Sequence, residues 1–157
     1  MRAVISLGVW LLLGTAALGQ SAEETVSFLL NGTEDGRKIE HFSYRRVTEN
    51  PLTYILTVKG VDLVKFTVSQ INACEYVSEF AGIKDRSKYF KTQVNFSAVK
   101  DIRPAETWLL EFADRCAVQE IDGSCKNNLI SEYGVEYHRA SAALAYFRAN
   151  FCKGNAY

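Results

Sequence analysis

The residues best suited to acid–base chemistry are histidines, and the chain has two, His41 and His138. His138 lies between Tyr137 and Arg139, beside the apolar face of a predicted helix. As a general base it would need a pocket and a polar partner. A histidine in this position more often borders a covered surface, and we favour that interpretation. His41 alternates with Phe42 on a predicted edge strand, where a catalytic role is expected even less.

A second candidate for acid–base chemistry is Glu111, which shares the end of a predicted strand with Asp114 and Arg115. Paired carboxylates can act as acid and base, but charged side chains at a strand end are far more often solvated surface groups. The sequence contains no nucleophile elbow, phosphate-binding loop, zinc-protease motif or Cys-x-x-Cys pair. These absences lower the odds of the common enzyme classes, and we expect no cofactor.

The four cysteines, Cys74, Cys116, Cys125 and Cys152, could bind metal, remain free or form disulfides. No close cysteine pair or histidine cluster is present, so we expect no metal site. In an exported chain, four cysteines predict two disulfides, for which three pairings exist.

One long helix, from Leu129 to Cys152, is predicted to be the main element that positions these groups. Its apolar residues recur alternately three and four positions apart, which places them on one helix face. They are Ile130, Tyr133, Tyr137, Ala140, Leu144, Phe147 and Phe151. Asn128 suits the N-cap, and Lys153-Gly154 suits the end of the helix. Small residues flank the face, so we favour packing on the protein's own sheet over pairing with another chain.

The predicted helix also selects the disulfide pairing. A continuous helix would hold Cys125 and Cys152 roughly 35 Å apart, beyond the reach of a disulfide. A Cys116–Cys152 bond would be possible but strained. The expected pairs are therefore Cys74–Cys152 and Cys116–Cys125.

Alternating apolar residues predict an antiparallel meander of about five or six strands. The predicted runs lie within 38–47, 52–58, 64–69, 74–80, 90–98 and 108–112, and short connections favour antiparallel neighbours. Ser21 and Glu24 form a capping box that predicts a short helix ending at Asn31-Gly32. The predicted fold is α+β, with a short N-terminal helix, the meander, and the long C-terminal helix on one face. Cystatin-like and NTF2-like folds are two versions of this architecture.

The first residues are typical of a secretory signal peptide. Met1-Arg2 precedes an apolar run from Ala3 to Leu13, and Ala17-Leu18-Gly19 supplies the small residues before a cleavage site. We expect residues 1–19 to be removed and 20–157 to form one exported, soluble domain. The apolar run is too short to span a bilayer, and no stable membrane insertion is expected after cleavage.

The charge balance excludes a class of partner. The chain has 18 Lys plus Arg and 18 Asp plus Glu. It therefore lacks the excess of basic residues that is typical of a nucleic-acid binder. We expect no nucleic acid as a partner. We expect a monomer whose partner is an unidentified protein or small molecule.

Two short stretches resemble small exported proteins of alphaproteobacteria that have no assigned function. The stretches are Glu23-Glu24-Thr25-Val26-Ser27-Phe28-Leu29, with Gly32 and Glu34-Asp35-Gly36, and Ile71-Asn72-Ala73-Cys74-Glu75-Tyr76. The resemblance implies a periplasmic setting and assigns no catalytic residue. In a bacterial protein, the glycosylation-type triplets at Asn31 and Asn95 would be chance matches.

Two hypotheses for function follow from the sequence. The favoured one is a non-catalytic module, periplasmic or extracellular, that binds its partner through the sheet or a pocket between sheet and helix. The alternative is a small periplasmic enzyme with a pocket between the sheet and the C-terminal helix, using His138 or Glu111 as base.

Overall fold

The computed structural model describes residues 20–85, 87–105, 108–131 and 136–153, and the predicted signal peptide lies outside them. The fold is α+β, as predicted. The helices are α1 (Ala22–Asn31) and α2 (Tyr137–Asn150). The strands are β1 (Lys38–Ile39), β2 (Phe42–Glu49), β3 (Leu52–Val58), β4 (Val61–Asn72), β5 (Glu75–Gly82), β6 (Tyr89–Asn95), β7 (Val99–Pro104), β8 (Trp108–Phe112), β9 (Val118–Glu120), β10 (Cys125–Lys126) and β11 (Asn128–Ser131).

The strands form two antiparallel sheets, which corrects the predicted single meander of five or six strands. The larger sheet has eight strands in the order β1-β2-β3-β4-β5-β6-β9-β10, and the smaller has the order β11-β8-β7. The meander is therefore present from β1 to β6. The prediction missed β9, β10 and β11 because two to four residues are too few to show alternation. It also missed β7, whose six residues have only Val99 and Ile102 buried.

The predicted N-terminal helix is present with the predicted ends. The Ser21 hydroxyl accepts a hydrogen bond from the Glu24 N–H at 3.1 Å, and the Glu24 carboxylate accepts one from the Ser21 N–H at 2.8 Å. Gly32 ends the helix in the left-handed conformation, with φ 61°. Glycine adopts this conformation without the steric cost of a Cβ.

The predicted helix from Leu129 to Cys152 is wrong over its first part. Residues 128–131 instead form β11, which pairs with β8 from Asn128 opposite Glu111 to Ser131 opposite Trp108. A short apolar run fits either a helix or a strand, and the pairing available on β8 decides between them. Asn128 is thus not an N-cap. Glu136 stands at that position without a side-chain hydrogen bond.

The middle of the predicted apolar face is confirmed in α2. Ala140, Leu144 and Phe147 are buried, and the Phe147 ring lies 5.7 Å from that of Tyr76 on β5. Ile130, at the start of the predicted face, is instead an exposed residue of β11. Tyr133 and Gly154 lie outside the described residues.

Two disulfides brace this arrangement, with the pairing expected from the sequence. Cys74, in the turn between β4 and β5, is bonded to Cys152, just after α2. Cys116 and Cys125 are bonded across the β9–β10 hairpin. The helix that was expected to separate Cys125 from Cys152 is shorter than predicted, because residues 128–131 form β11 and α2 begins at Tyr137.

The two helices and the sheets share one hydrophobic core. α1 lies against α2, β4 and β11. Val26 and Leu29 of α1 are fully buried with Phe66 and Val68 of β4 and Trp108 of β8. Among the described residues, no helix is long and apolar enough to cross a membrane.

Candidate functional site

The two predicted acid–base residues lie apart from the cavities of the fold. His138 is exposed on the first turn of α2, where its ring contacts that of Tyr137 at 5.5 Å. Glu111, on β8, forms an ion pair with Arg103 on the neighbouring β7. Neither His138 nor Glu111 lines either of the two cavities described below.

The other candidates are exposed residues of turns and bends. The Asp114 carboxylate accepts a hydrogen bond from the Cys116 N–H at 2.9 Å, which shapes the turn before β9. Arg115 is exposed. His41 is exposed in the turn between β1 and β2, and its carbonyl oxygen accepts a hydrogen bond from the Lys59 N–H at 3.0 Å.

The larger cavity is a groove of about 740 Å³ over one face of the eight-stranded sheet. Its lining comes from β4, β5, β6, β9 and β10, together with the C-terminal end of α1 and with β11. We call it the sheet groove. Its volume lies in the range of pockets that hold small organic molecules, roughly 300–1,000 Å³. Among the described residues that line it, none belongs to α2.

Strand register sets the layout of the sheet groove. Ser78, Phe80 and Gly82 alternate along β5 and therefore face the same side of the sheet. On β6, Thr92 lies opposite Ser78, and Phe90 lies opposite Phe80. At the usual rise of a strand, the distance from Ser78 to Gly82 is about 13 Å. The groove is thus elongated along β5.

Large apolar side chains line the sheet groove without being covered. Phe90 is 62% exposed, Ile130 63% and Leu63 39%. The Phe80 ring, at the centre of the lining, stacks on that of Phe66 at 4.5 Å. Apolar residues grouped in one concavity mark a surface suited to binding apolar groups, unlike the same residues scattered singly.

One side of the sheet groove carries a satisfied polar network around Glu120. Its carboxylate accepts a hydrogen bond from the Thr92 hydroxyl at 2.9 Å. It also accepts one from the Lys126 ammonium group at 3.0 Å. Both carboxylate oxygens are occupied, so this group serves to join β6, β9 and β10.

The amide of Asn31, at the end of α1, is a polar group of a different kind. Its nitrogen is buried in the groove lining and has no hydrogen-bond partner among the described residues. A buried donor without a partner costs roughly 1–3 kcal/mol. This nitrogen is shielded from the groove as well as from solvent, so the structure does not present it to a ligand.

Three residues between β5 and β6, Lys84, Asp85 and Lys88, belong to the lining at one end of the sheet groove. The Asp85 carboxylate accepts hydrogen bonds from the Ser87 hydroxyl at 2.6 Å and the Ser87 N–H at 3.1 Å. These bonds, with a smaller contribution from the charge of Lys88, lower the pKa of Asp85. Asp85 thus stays ionised at neutral pH and fixes the loop.

A second, smaller cavity of about 460 Å³ lies near residue 20, and most of its lining residues are of polar types. Its three carboxylates all have partners. Glu24 pairs with Arg46, Asp35 accepts a hydrogen bond from the Arg46 N–H at 2.8 Å, and Glu34 pairs with Arg139 at 2.5 Å. These contacts connect both helices to β2 and to the loop before it. We therefore interpret this cavity as part of the packing between elements and not as a binding site.

Sequence reasoning missed the sheet groove. The predicted strand of residues 74–80 ends before Gly82, and Leu129 and Ile130 were placed in a helix. The alternation of apolar and polar residues identifies the side chains that share one face of a strand. It does not show which part of that face is left without a covering helix or strand. The one available signal was the pair of lysines next to the exposed aromatic residue Phe90.

Within the described ranges, no group of three or more His, Cys, Asp or Glu side chains is placed to hold a metal ion. Comparisons with known protein families, curated proteins and solved structures find no match to this chain.

Proposed function

We propose that this protein is an exported, non-catalytic module that binds the apolar part of a small molecule in the sheet groove. The observation that carries the proposal is the exposure of Leu63, Phe90 and Ile130 within one concavity of about 740 Å³. Leaving such side chains uncovered forgoes hydrophobic stabilisation, which a bound apolar group would recover.

Two independent features support export. The first residues have the pattern of a signal peptide. All four cysteines form disulfides, which persist in oxidising compartments such as the periplasm.

The chemistry of the groove lining supports binding over catalysis. Its described residues include neither His nor Cys. Of its two carboxylates, Glu120 is occupied by Thr92 and Lys126, and hydrogen bonds lower the pKa of Asp85, which makes it a weaker base. We do not extend the proposal to an enzyme that uses His138 or Glu111, because neither side chain lines a described cavity.

The test is a titration with N-phenyl-1-naphthylamine, a neutral dye that fluoresces in apolar sites. The wild-type protein should bind it saturably. Phe90→Ser and Ile130→Ser should each weaken binding about fivefold, since each removes roughly 1 kcal/mol of apolar contact.

Ile71→Ser is the matched control, because Ile71 is 52% exposed on β4 but does not line the groove. It should leave the dye affinity unchanged. The absence of saturable binding, or equal weakening in all three variants, would overturn the proposal.

A further inference from the structure

We propose that the ligand of the sheet groove is a free, single-chain carboxylate whose acid group lies beside Lys84 and Lys88. Its alkyl chain extends along β5 over Phe80 and Phe90. This inference rests on the proposed function and adds the chemical class of the ligand.

Among the described residues of the groove lining, positive side chains exceed negative ones by one. Three lysines, Lys84, Lys88 and Lys126, face two carboxylates, Asp85 and Glu120. Lys126 is neutralised by Glu120 at 3.0 Å. A ligand with one negative charge would balance the remaining positive charge, whereas a cationic ligand would increase it.

The two remaining ammonium groups make no close ion pair with the described residues, although the charge of Lys88 also acts on Asp85. Neither Lys84 nor Lys88 forms an ion pair with any described residue within 4.0 Å. The carboxylate of Asp85, which lies between them in the chain, already accepts two hydrogen bonds from Ser87. The lysine ammonium group is a compact charge on a flexible stem, so it can adjust its position to contact an anion.

The backbone places these lysines at one end of the groove. The Gly82 N–H donates to the Lys88 carbonyl oxygen at 2.9 Å, and the Ile83 N–H donates to the Leu63 carbonyl oxygen at 2.9 Å. A Cβ at position 82 would collide with the carbonyl oxygen of Asp85, so glycine is needed for the loop to fold back this closely. The loop therefore stays next to the last residue of β5.

Apolar side chains line the groove from the position of the lysines onwards along β5, and we call this row the apolar path. From Gly82, the next residue of β5 on the same face is Phe80, with Phe90 beside it on β6. Leu129 and Ile130 of β11 belong to the same lining. An alkyl chain in this position covers the uncovered apolar groups while its acid group stays near the loop.

Polar groups mark the far end of the apolar path. Ser78 lies one step beyond Phe80, and Thr92 lies opposite it, donating its hydrogen bond to Glu120. The stretch from Gly82 to Ser78 is about 13 Å long. This length suits a chain of medium length such as decanoate.

The experiment compares three ligands with the same chain and different head groups. Decanoate, decan-1-ol and decylammonium are each used to displace N-phenyl-1-naphthylamine from the wild-type protein, and decanoate binding is also measured by calorimetry. Decanoate should displace the dye at about three- to tenfold lower concentration than decan-1-ol, since two lysines contribute up to roughly a factor of ten. Decylammonium should be the weakest.

The charge dependence is then tested with variants and salt. The double variant Lys84→Gln/Lys88→Gln should keep its affinity for the neutral dye and lose the preference for decanoate. The control Lys38→Gln/Lys100→Gln removes the same charge from exposed positions outside the groove and should keep the preference. About 1 M salt, which shortens the screening length to about 3 Å, should reduce the preference in the wild-type protein.

The outcomes separate the two proposals. If the dye binds but decanoate is not preferred, this inference is overturned and the proposed function stands. The same holds if the preference for decanoate survives in Lys84→Gln/Lys88→Gln. If neither the dye nor decanoate binds, both proposals are overturned.

Discussion

Two tyrosines, Tyr54 and Tyr76, are almost completely buried in the core, although each carries a hydroxyl group. The Tyr76 hydroxyl accepts a hydrogen bond from the Gln70 amide at 3.0 Å. Burial is the main cause that raises the pKa of both tyrosines to about 12, and nearby carboxylates, Glu24 for Tyr54 and Glu23 for Tyr76, raise it further. Both side chains thus stay neutral in the folded protein well above the usual tyrosine pKa.

These pKa values predict how stability depends on alkaline pH. Tyrosine in the unfolded chain ionises near pH 10, whereas Tyr54 and Tyr76 in the folded protein ionise near pH 12. The stabilisation is complete below about pH 10 and is lost as the pH rises towards about 12. As the pH rises through this window, ionisation of each tyrosine in the unfolded chain should lower the free energy of unfolding by about 1.4 kcal/mol per pH unit.

Urea unfolding midpoints measured across the window test this expectation. Tyr54→Phe and Tyr76→Phe should each make the decline shallower, while Tyr146→Phe, at an exposed position, controls for loss of a hydroxyl group. A decline of the same steepness in Tyr54→Phe, Tyr76→Phe and the wild-type protein would show that the buried tyrosines do not cause it.

At the scale of elements, the two disulfides have different tasks. Cys74–Cys152 joins the β4–β5 turn to the end of α2 across 78 residues of sequence. Cys116–Cys125 has a sequence separation of 9 and holds the β9–β10 hairpin, whose Val118, Glu120 and Lys126 line the sheet groove. The first bond closes a large loop through the core, and the second fixes one wall of the groove.

Removing each disulfide should therefore have a different effect. In the loop-entropy view, Cys74→Ser/Cys152→Ser should lower the free energy of unfolding by roughly 2 kcal/mol more than Cys116→Ser/Cys125→Ser. The second variant should instead weaken dye binding in the groove. Urea unfolding and dye titration of both variants check this. Equal losses of stability together with unchanged dye affinity of the hairpin variant would contradict it.

Local signals in the sequence predicted some elements well and others poorly. The capping box of Ser21 and Glu24 predicted α1 because its two hydrogen bonds form within four consecutive residues. The buried spacing of Ala140, Leu144 and Phe147 predicted the central part of α2. Leu129 and Ile130 were placed wrongly because their strand conformation depends on pairing with β8, which lies far away in the sequence.

At the scale of the whole molecule, the sheet groove results from layers that do not cover the sheet completely. α1 packs against α2 and against β4 of the larger sheet. It also contacts β11 of the smaller sheet, while α2 contacts β7 of the smaller sheet. The groove lies where the end of α1 and β11 face β4, β5 and β6. The sequence could not predict this space, because it depends on how far each layer extends over the next.

The most direct test of the central claim, that the sheet groove is the binding site, is a two-dimensional amide NMR titration with N-phenyl-1-naphthylamine. The groove geometry predicts saturable shifts that are largest at Phe80, Phe90 and Ile130 and small at His138 and Glu111. Shifts concentrated at His138 or Glu111, or the absence of saturable shifts, would contradict the claim.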